Sequence, residues 1–221
     1  MDINKSLNQF IEGQGKSKGR KPDERYASFD FCYNYFYSFY KRNKLSELAN
    51  EKNIQMSCLQ LAFYLASWGM MRGSSFLFEK SGRHYMNLIN TISKMETKLW
   101  EIDVDDYNEE NIDLLLKCKR EIIKALKDGE KKPSDTLITK IMMGIFANTP
   151  AFDQYVRKRL EVYSFNRKSL LKIKAFYEEN KKDFDSFKKI PTFDFLTSKE
   201  TKINYTKAKL IDMYAFTDGQ K

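Results

Sequence analysis

The chain has 221 residues, a formal charge of +9, and 42% hydrophobic residues, including seventeen Phe, thirteen Tyr and two Trp. That content excludes general disorder and suffices for one sizeable domain burying roughly 70 to 75% of its unfolded surface. Three scattered cysteines exclude a disulfide framework, one histidine excludes a two-histidine metal site, and the longest apolar stretch, broken by Gln60, Ser67 and Gly69, falls short of the ~20 residues that cross a bilayer.

With four Pro and nine Gly, the chain has few breakers for a many-stranded sheet, and helices are expected throughout. Residues 1–24 carry three glycines and the basic Lys16, Lys18, Arg20 and Lys21, which predicts a flexible basic N-terminal arm. Within it, Gly13-Gln14-Gly15-Lys16-Ser17 ends like a phosphate-binding loop, but Phe10 stands where the first glycine belongs. From Tyr26 to Tyr40 aromatic residues repeat at helical spacing on both sides, predicting a central helix. A second buried helix is expected over 54–70, a third over 84–100, and a fourth over 109–127, whose early glutamates and late lysines suit the helix dipole.

Pro133-Ser134 starts a fifth helix that ends near Phe146, and Thr149-Pro150 has the chemistry of a cap and first residue for the next. A further helix is expected over 167–187, an extended segment over 190–197, and a last helix over 205–216. The fold class read from this pattern is all-α: a single-domain orthogonal bundle of about seven or eight helices occupying residues 25–221.

Three constellations could carry chemistry. Between the second and third helices, Arg72, Ser74, Ser75, Lys80 and Arg83 gather cations and hydroxyls that suit an anion, although Ser75 can equally cap a helix. On the first aromatic helix Asp30 is a candidate catalytic carboxylate in a pocket with Tyr33 and Tyr37, or else part of a hydrogen-bonded core network. The third is the helical hairpin running from Thr136-Leu137-Ile138-Thr139-Lys140 to Pro150-Ala151-Phe152-Asp153-Gln154-Tyr155-Val156-Arg157.

This hairpin resembles the lysine-to-aspartate segment of the helix-hairpin-helix DNA glycosylase superfamily and of uncharacterised bacterial proteins related to it. The resemblance covers roughly twenty residues. It implies that Lys140 stands for the lysine nucleophile and Asp153 for the catalytic aspartate, with DNA as substrate and Arg157 among the nucleic-acid contacts. The Gly-rich hairpin of that superfamily is replaced here by Lys132-Pro133-Ser134-Asp135. Residue pattern alone offers a plainer account: Lys140 falls off the Leu137, Ile141 and Ile145 stripe and should be solvated, while Asp153 should pair with Arg157 one turn on.

Two function classes follow. One is a nucleic-acid-associated protein of bacterial type, a degenerate glycosylase-like domain, to which the positive charge is suited. The other is a non-enzymatic interaction subunit of a defence or regulatory assembly. The expected setting for either is cytoplasmic, with no cofactor, no metal and no membrane partner.

Overall fold

The computed structural model describes residues 2–13, 18–73 and 75–220, and Ser74 of the anion-binding set and residues 14–17 of the arm lie outside them. The described residues form ten α-helices: α1 Ile3–Ile11, α2 Ala27–Lys41, α3 Ile54–Ser67, α4 Met86–Ile92, α5 Glu109–Leu126, α6 Asp135–Phe146, α7 Gln154–Leu160, α8 Arg167–Glu179, α9 Lys181–Asp185 and α10 Lys207–Asp218. They also form a two-stranded antiparallel sheet, β1 Pro191–Phe193 and β2 Glu200–Asn204. The protein is thus mostly helical, with one small hairpin added, and no helix of the described residues is long and apolar enough to cross a membrane.

The arm expected over 1–24 is not an arm over its first half. Ile3, Leu7 and Phe10 recur at helical spacing, α1 buries all three, and its N-terminus is capped by Asp2 accepting the Lys5 amide at 2.8 Å. This stripe packs on α10, and Phe10 stacks on Tyr26 with ring centroids 4.3 Å apart. Arg20, expected on a mobile basic segment, is buried too.

Helices α6 and α10 are the most enclosed. Every residue from Leu137 to Phe146 and from Ala208 to Thr217 is buried, and α2 and α3 both pack on α6. Neither α6 nor α10 has a solvent face, as expected of helices apolar nearly all round.

Two expected helices are shorter than their periodicity suggests, because side chains compete for the backbone. In the 84–100 region Asn90, Thr91 and Ser93 donate back to the carbonyls of Met86, Asn87 and Asn90. There α4 ends at Ile92, and Thr97–Trp100 forms a separate 3-10 turn. Likewise Asn180 separates α8 from α9 while its side-chain Nδ2 donates to the Phe176 carbonyl at 2.8 Å.

The helix expected to restart at Thr149-Pro150 starts later. Residues 147–152 are buried but not helical, because tertiary partners take their backbone groups: the Ala151 amide donates to Asp212 and the Phe152 amide to Thr139. The true N-cap is Asp153, whose Oδ1 accepts the Tyr155 and Val156 amides.

Candidate site at the helical hairpin

Because α6 lacks a solvent face, Lys140 is nearly cut off from water, contrary to the solvated side chain expected from the helical wheel. It is 4% exposed. A buried ammonium needs a counter-charge, and the N-cap of the facing helix supplies one: Lys140 Nζ lies 3.1 Å from Asp153 Oδ2. The two carboxylate oxygens divide the work, Oδ1 capping α7 and Oδ2 holding the lysine. Asp153 therefore takes Lys140 as its ion-pair partner in place of the expected Arg157. Arg157 is half-buried, with its Nε lacking a hydrogen-bond partner.

The turn that presents Asp153 is held at several points. Ala147 closes α6 at φ +52°, in the left-handed region. Its carbonyl accepts from Thr206 at 2.6 Å, and the Asn148 carbonyl accepts from Tyr107 at 2.7 Å. Thr139 accepts the Phe152 amide at 2.7 Å, and Thr136 donates to the Phe152 carbonyl at 2.8 Å. A chain fixed at both carbonyls and amides leaves the carboxylate little freedom to leave the ammonium.

A second buried pair stands beside the first. On α10 Lys209 is 2% exposed and lies 2.9 Å from Asp212, whose other oxygen accepts the Ala151 amide at 3.0 Å. Both ammonium groups sit over the ring of Trp68, the C-cap of α3, at 5.3 Å for Lys140 and 5.2 Å for Lys209. Desolvated ammonium groups over an aromatic face gain about 2 kcal/mol. Tyr26 stacks on the same indole, Phe216 meets it edge-on, and the Arg25 guanidinium covers it from the solvent side at 5.4 Å. Trp68 Nε1 is buried without a hydrogen-bond partner.

Next to this cluster a cavity of about 330 Å³ is lined by Gly69, Met70, Arg72, Ser75, Lys132 and Thr136 among others. It begins one residue beyond Trp68 and reaches the first turn of α6. Arg72 and Ser75 meet there, although Ser75 Oγ also accepts the Leu77 amide as a cap. Lys80 and Arg83 of the expected anion set lie elsewhere. Lys80 is paired with Asp128 at 2.7 Å, and Arg83 lines a different cavity of about 420 Å³ with Leu59 and Met86.

Asp30 faces inward, away from solvent. Both its oxygens accept the Tyr205 hydroxyl, at 2.7 and 2.9 Å, Oδ2 accepts the Phe193 amide at 2.8 Å, and the Arg20 guanidinium lies 3.5 Å away. Burial pushes its carboxyl up to about 6, against the lowering effect of Tyr205, the Phe193 amide, Arg20 and Lys209. Its geometry is that of a clamp tying the β1–β2 hairpin and the Arg20 segment to α2. Asp30 is not among the residues that line the cavity beside Arg72.

Sequence pattern missed Trp68, Lys209, Asp212 and Lys132. A signal for two of them was present: Lys209 and Asp212 are charges three residues apart in the otherwise apolar segment 208–216, and charges in a fully buried helix are rarely idle. Compared with known proteins, the chain matches no family model, no curated protein and no solved structure.

Proposed function

We propose that this chain is a nucleic-acid-associated protein in which Lys140 and Asp153 act as a glycosylase-like nucleophile and carboxylate. The observation that carries this reading is the 3.1 Å contact between a 4%-exposed ammonium and the N-cap carboxylate, in the segment whose sequence resembles that superfamily. A lysine amine with a carboxylate in hydrogen-bond reach is the arrangement that lets a weak nucleophile be deprotonated and used. Asp153 takes the ammonium proton, the amine nitrogen bonds to the anomeric carbon of a nucleoside as the glycosidic bond breaks, and the base leaves with the bonding pair and receives the proton from Asp153. Arg72 and Lys132 beside the neighbouring cavity, and the net charge of +9, supply attraction for phosphate. The same reading takes the helices as one orthogonal bundle in a single cytoplasmic domain.

The test is borohydride trapping on duplex DNA containing an abasic site, because an amine condensed with the ring-opened sugar is reduced to a permanent adduct. Mass spectrometry should map the adduct to the peptide containing Lys140. Lys140→Arg, which keeps the charge but cannot form the imine, should abolish it with the fold retained. An adduct mapping elsewhere, or no retention of DNA or RNA on a filter at low salt, removes the reading.

One observation favours a protein-docking role instead. Met56, Leu59 and Phe63 form an exposed apolar stripe along α3, with Phe63 67% exposed, as an interaction subunit would display. Such binding would persist as salt rises, whereas phosphate binding falls steeply.

A further inference from the structure

Two segments far apart in the chain meet at the cavity of about 330 Å³ that opens after Trp68. Gly69 closes α3 at φ +74°, its amide on the Ala66 carbonyl and the Met70 amide on the Leu65 carbonyl. This C-terminal turn, which a glycine suits, lays Met70, Arg72 and Ser75 against the start of α6, where Lys132, Ser134 and Thr136 complete the wall. No carboxylate is among the lining residues. Neither Arg72 nor Lys132 makes an ion pair among the described residues.

The polar groups of the wall are set to donate. Ser75 Oγ accepts the Leu77 amide at 3.2 Å and Ser134 Oγ accepts the Leu137 amide at 3.3 Å. Each hydroxyl hydrogen is left to give away, and neither has an acceptor among the described residues. In α6 the Ser134 carbonyl takes the Ile138 amide, so the Asp135 and Thr136 amides stand without intrahelical partners at the positive end of the helix. Nearby acids do not cancel the two cations, because each has a cation of its own. Asp135 lies 2.6 Å from Lys119 and also accepts the Phe165 amide, and Asp128 lies 2.7 Å from Lys80. Glu79 lines an adjoining cavity with Lys131 as well as Lys132, and Glu130 lines neither cavity.

We infer that this cavity is a binding site for a nucleoside phosphomonoester. Arg72 and Lys132 meet the phosphate from two sides, and the serine hydroxyls and the start of α6 donate to its oxygens. Two unpaired cations match the charge of about −1.5 to −2 on a phosphomonoester better than the single charge of a carboxylate. Small-molecule sites span about 300 to 1,000 Å³, so the volume leaves room beyond the phosphate itself. Met70, Phe76 and Leu137 supply an apolar side to that room, and an aromatic ring is a stacking surface for a base. As a site for the end of a strand, the cavity rests on the nucleic-acid reading above, whereas a free mononucleotide offers it the same chemistry.

The test is titration calorimetry on the full chain at low salt, with adenosine 5′-monophosphate, adenosine and benzoate as probes. Arg72→Gln and Lys132→Gln remove the cations singly, and Lys52→Gln removes an exposed charge elsewhere. All three side chains are exposed, and thermal melts check that the variants fold. The monophosphate should bind at least about tenfold more tightly than adenosine or benzoate. Each cavity variant should lose about tenfold, the loss expected for a hydrogen bond to a charged group, while Lys52→Gln binds as the wild type does. A monophosphate bound no better than adenosine or benzoate overturns the site, and so does an equal loss in Lys52→Gln or no loss in either cavity variant. A DNA hexamer with and without a 5′-phosphate then separates the sources. A gain of about tenfold from the 5′-phosphate, lost in Arg72→Gln, assigns the cavity to a strand end. Binding of the monophosphate with no binding of either hexamer keeps the site for a free mononucleotide and removes the nucleic-acid reading. If both hexamers bind equally and the monophosphate does not bind, the site falls while the nucleic-acid reading stands.

Discussion

Lys140 and Asp30 are both buried charges, but their surroundings treat them differently. Lys140 has a single carboxylate partner and an aromatic ring. Asp30 is enclosed by a hydroxyl, an amide and a guanidinium that together anchor a hairpin. The folded-state pKa of Asp30, about 6, lies above its ordinary value of 3.8, so the folded state binds the proton more tightly than the unfolded chain. The associated stability is complete below about pH 4 and is lost as pH rises through about 6. Asp103, also raised to about 6 by burial, acts in the same direction. Asp30→Asn carries no such proton, so its deficit relative to wild type should shrink between pH 4 and pH 7 by up to about 3 kcal/mol, measured by urea denaturation. A deficit constant across that range would show that Asp30 does not titrate there.

Among the elements, α6 shows where helical periodicity informs and where it misleads. Its extent, its Ser134 cap and its end at Phe146 are all readable from Pro133-Ser134 and the apolar run. The environment of Lys140 is not, because a wheel drawn for one stripe assumes that the opposite side meets water. The packing of α2, α3 and α5 around α6 removes that side. Gly144 is the point of closest approach: a Cβ there would come 2.5 Å from the Tyr64 ring. Gly144→Ala should therefore lose about 1 to 3 kcal/mol to overpacking, offset by about 1 kcal/mol of helix propensity. Thermal melting should show a midpoint lower by a few degrees; an unchanged or raised midpoint would mean that α3 yields easily. Helices α4 and α8 were legible as apolar stripes, but their stops depend on Asn90, Ser93 and Asn180 turning back onto the backbone, a choice that stripe patterns do not record.

At the scale of the molecule, α1 is part of the core. Its Ile3, Leu7 and Phe10 each remove an apolar side chain from water, together worth about 5 to 9 kcal/mol. That is comparable with the whole stability of a typical domain, about 5 to 15 kcal/mol. Deleting residues 2–13 should abolish cooperative melting followed by circular dichroism, whereas loss of a mobile arm would leave the transition in place. The same docking brings Phe10 under Tyr26, which stacks on Trp68, so the N-terminal helix also supports the aromatic wall of the candidate site. What the sequence by itself determined is the helical class and the places where most helices lie, because periodicity, caps and turn residues act over a few neighbouring positions. Tertiary structure alone decided that Lys140 is buried against Asp153, that Lys209 and Asp212 stand beside them, and that Asp30 clamps β1. Each of these depends on which distant segment covers a side chain, and burial, unlike helical phase, is a property of the assembled chain.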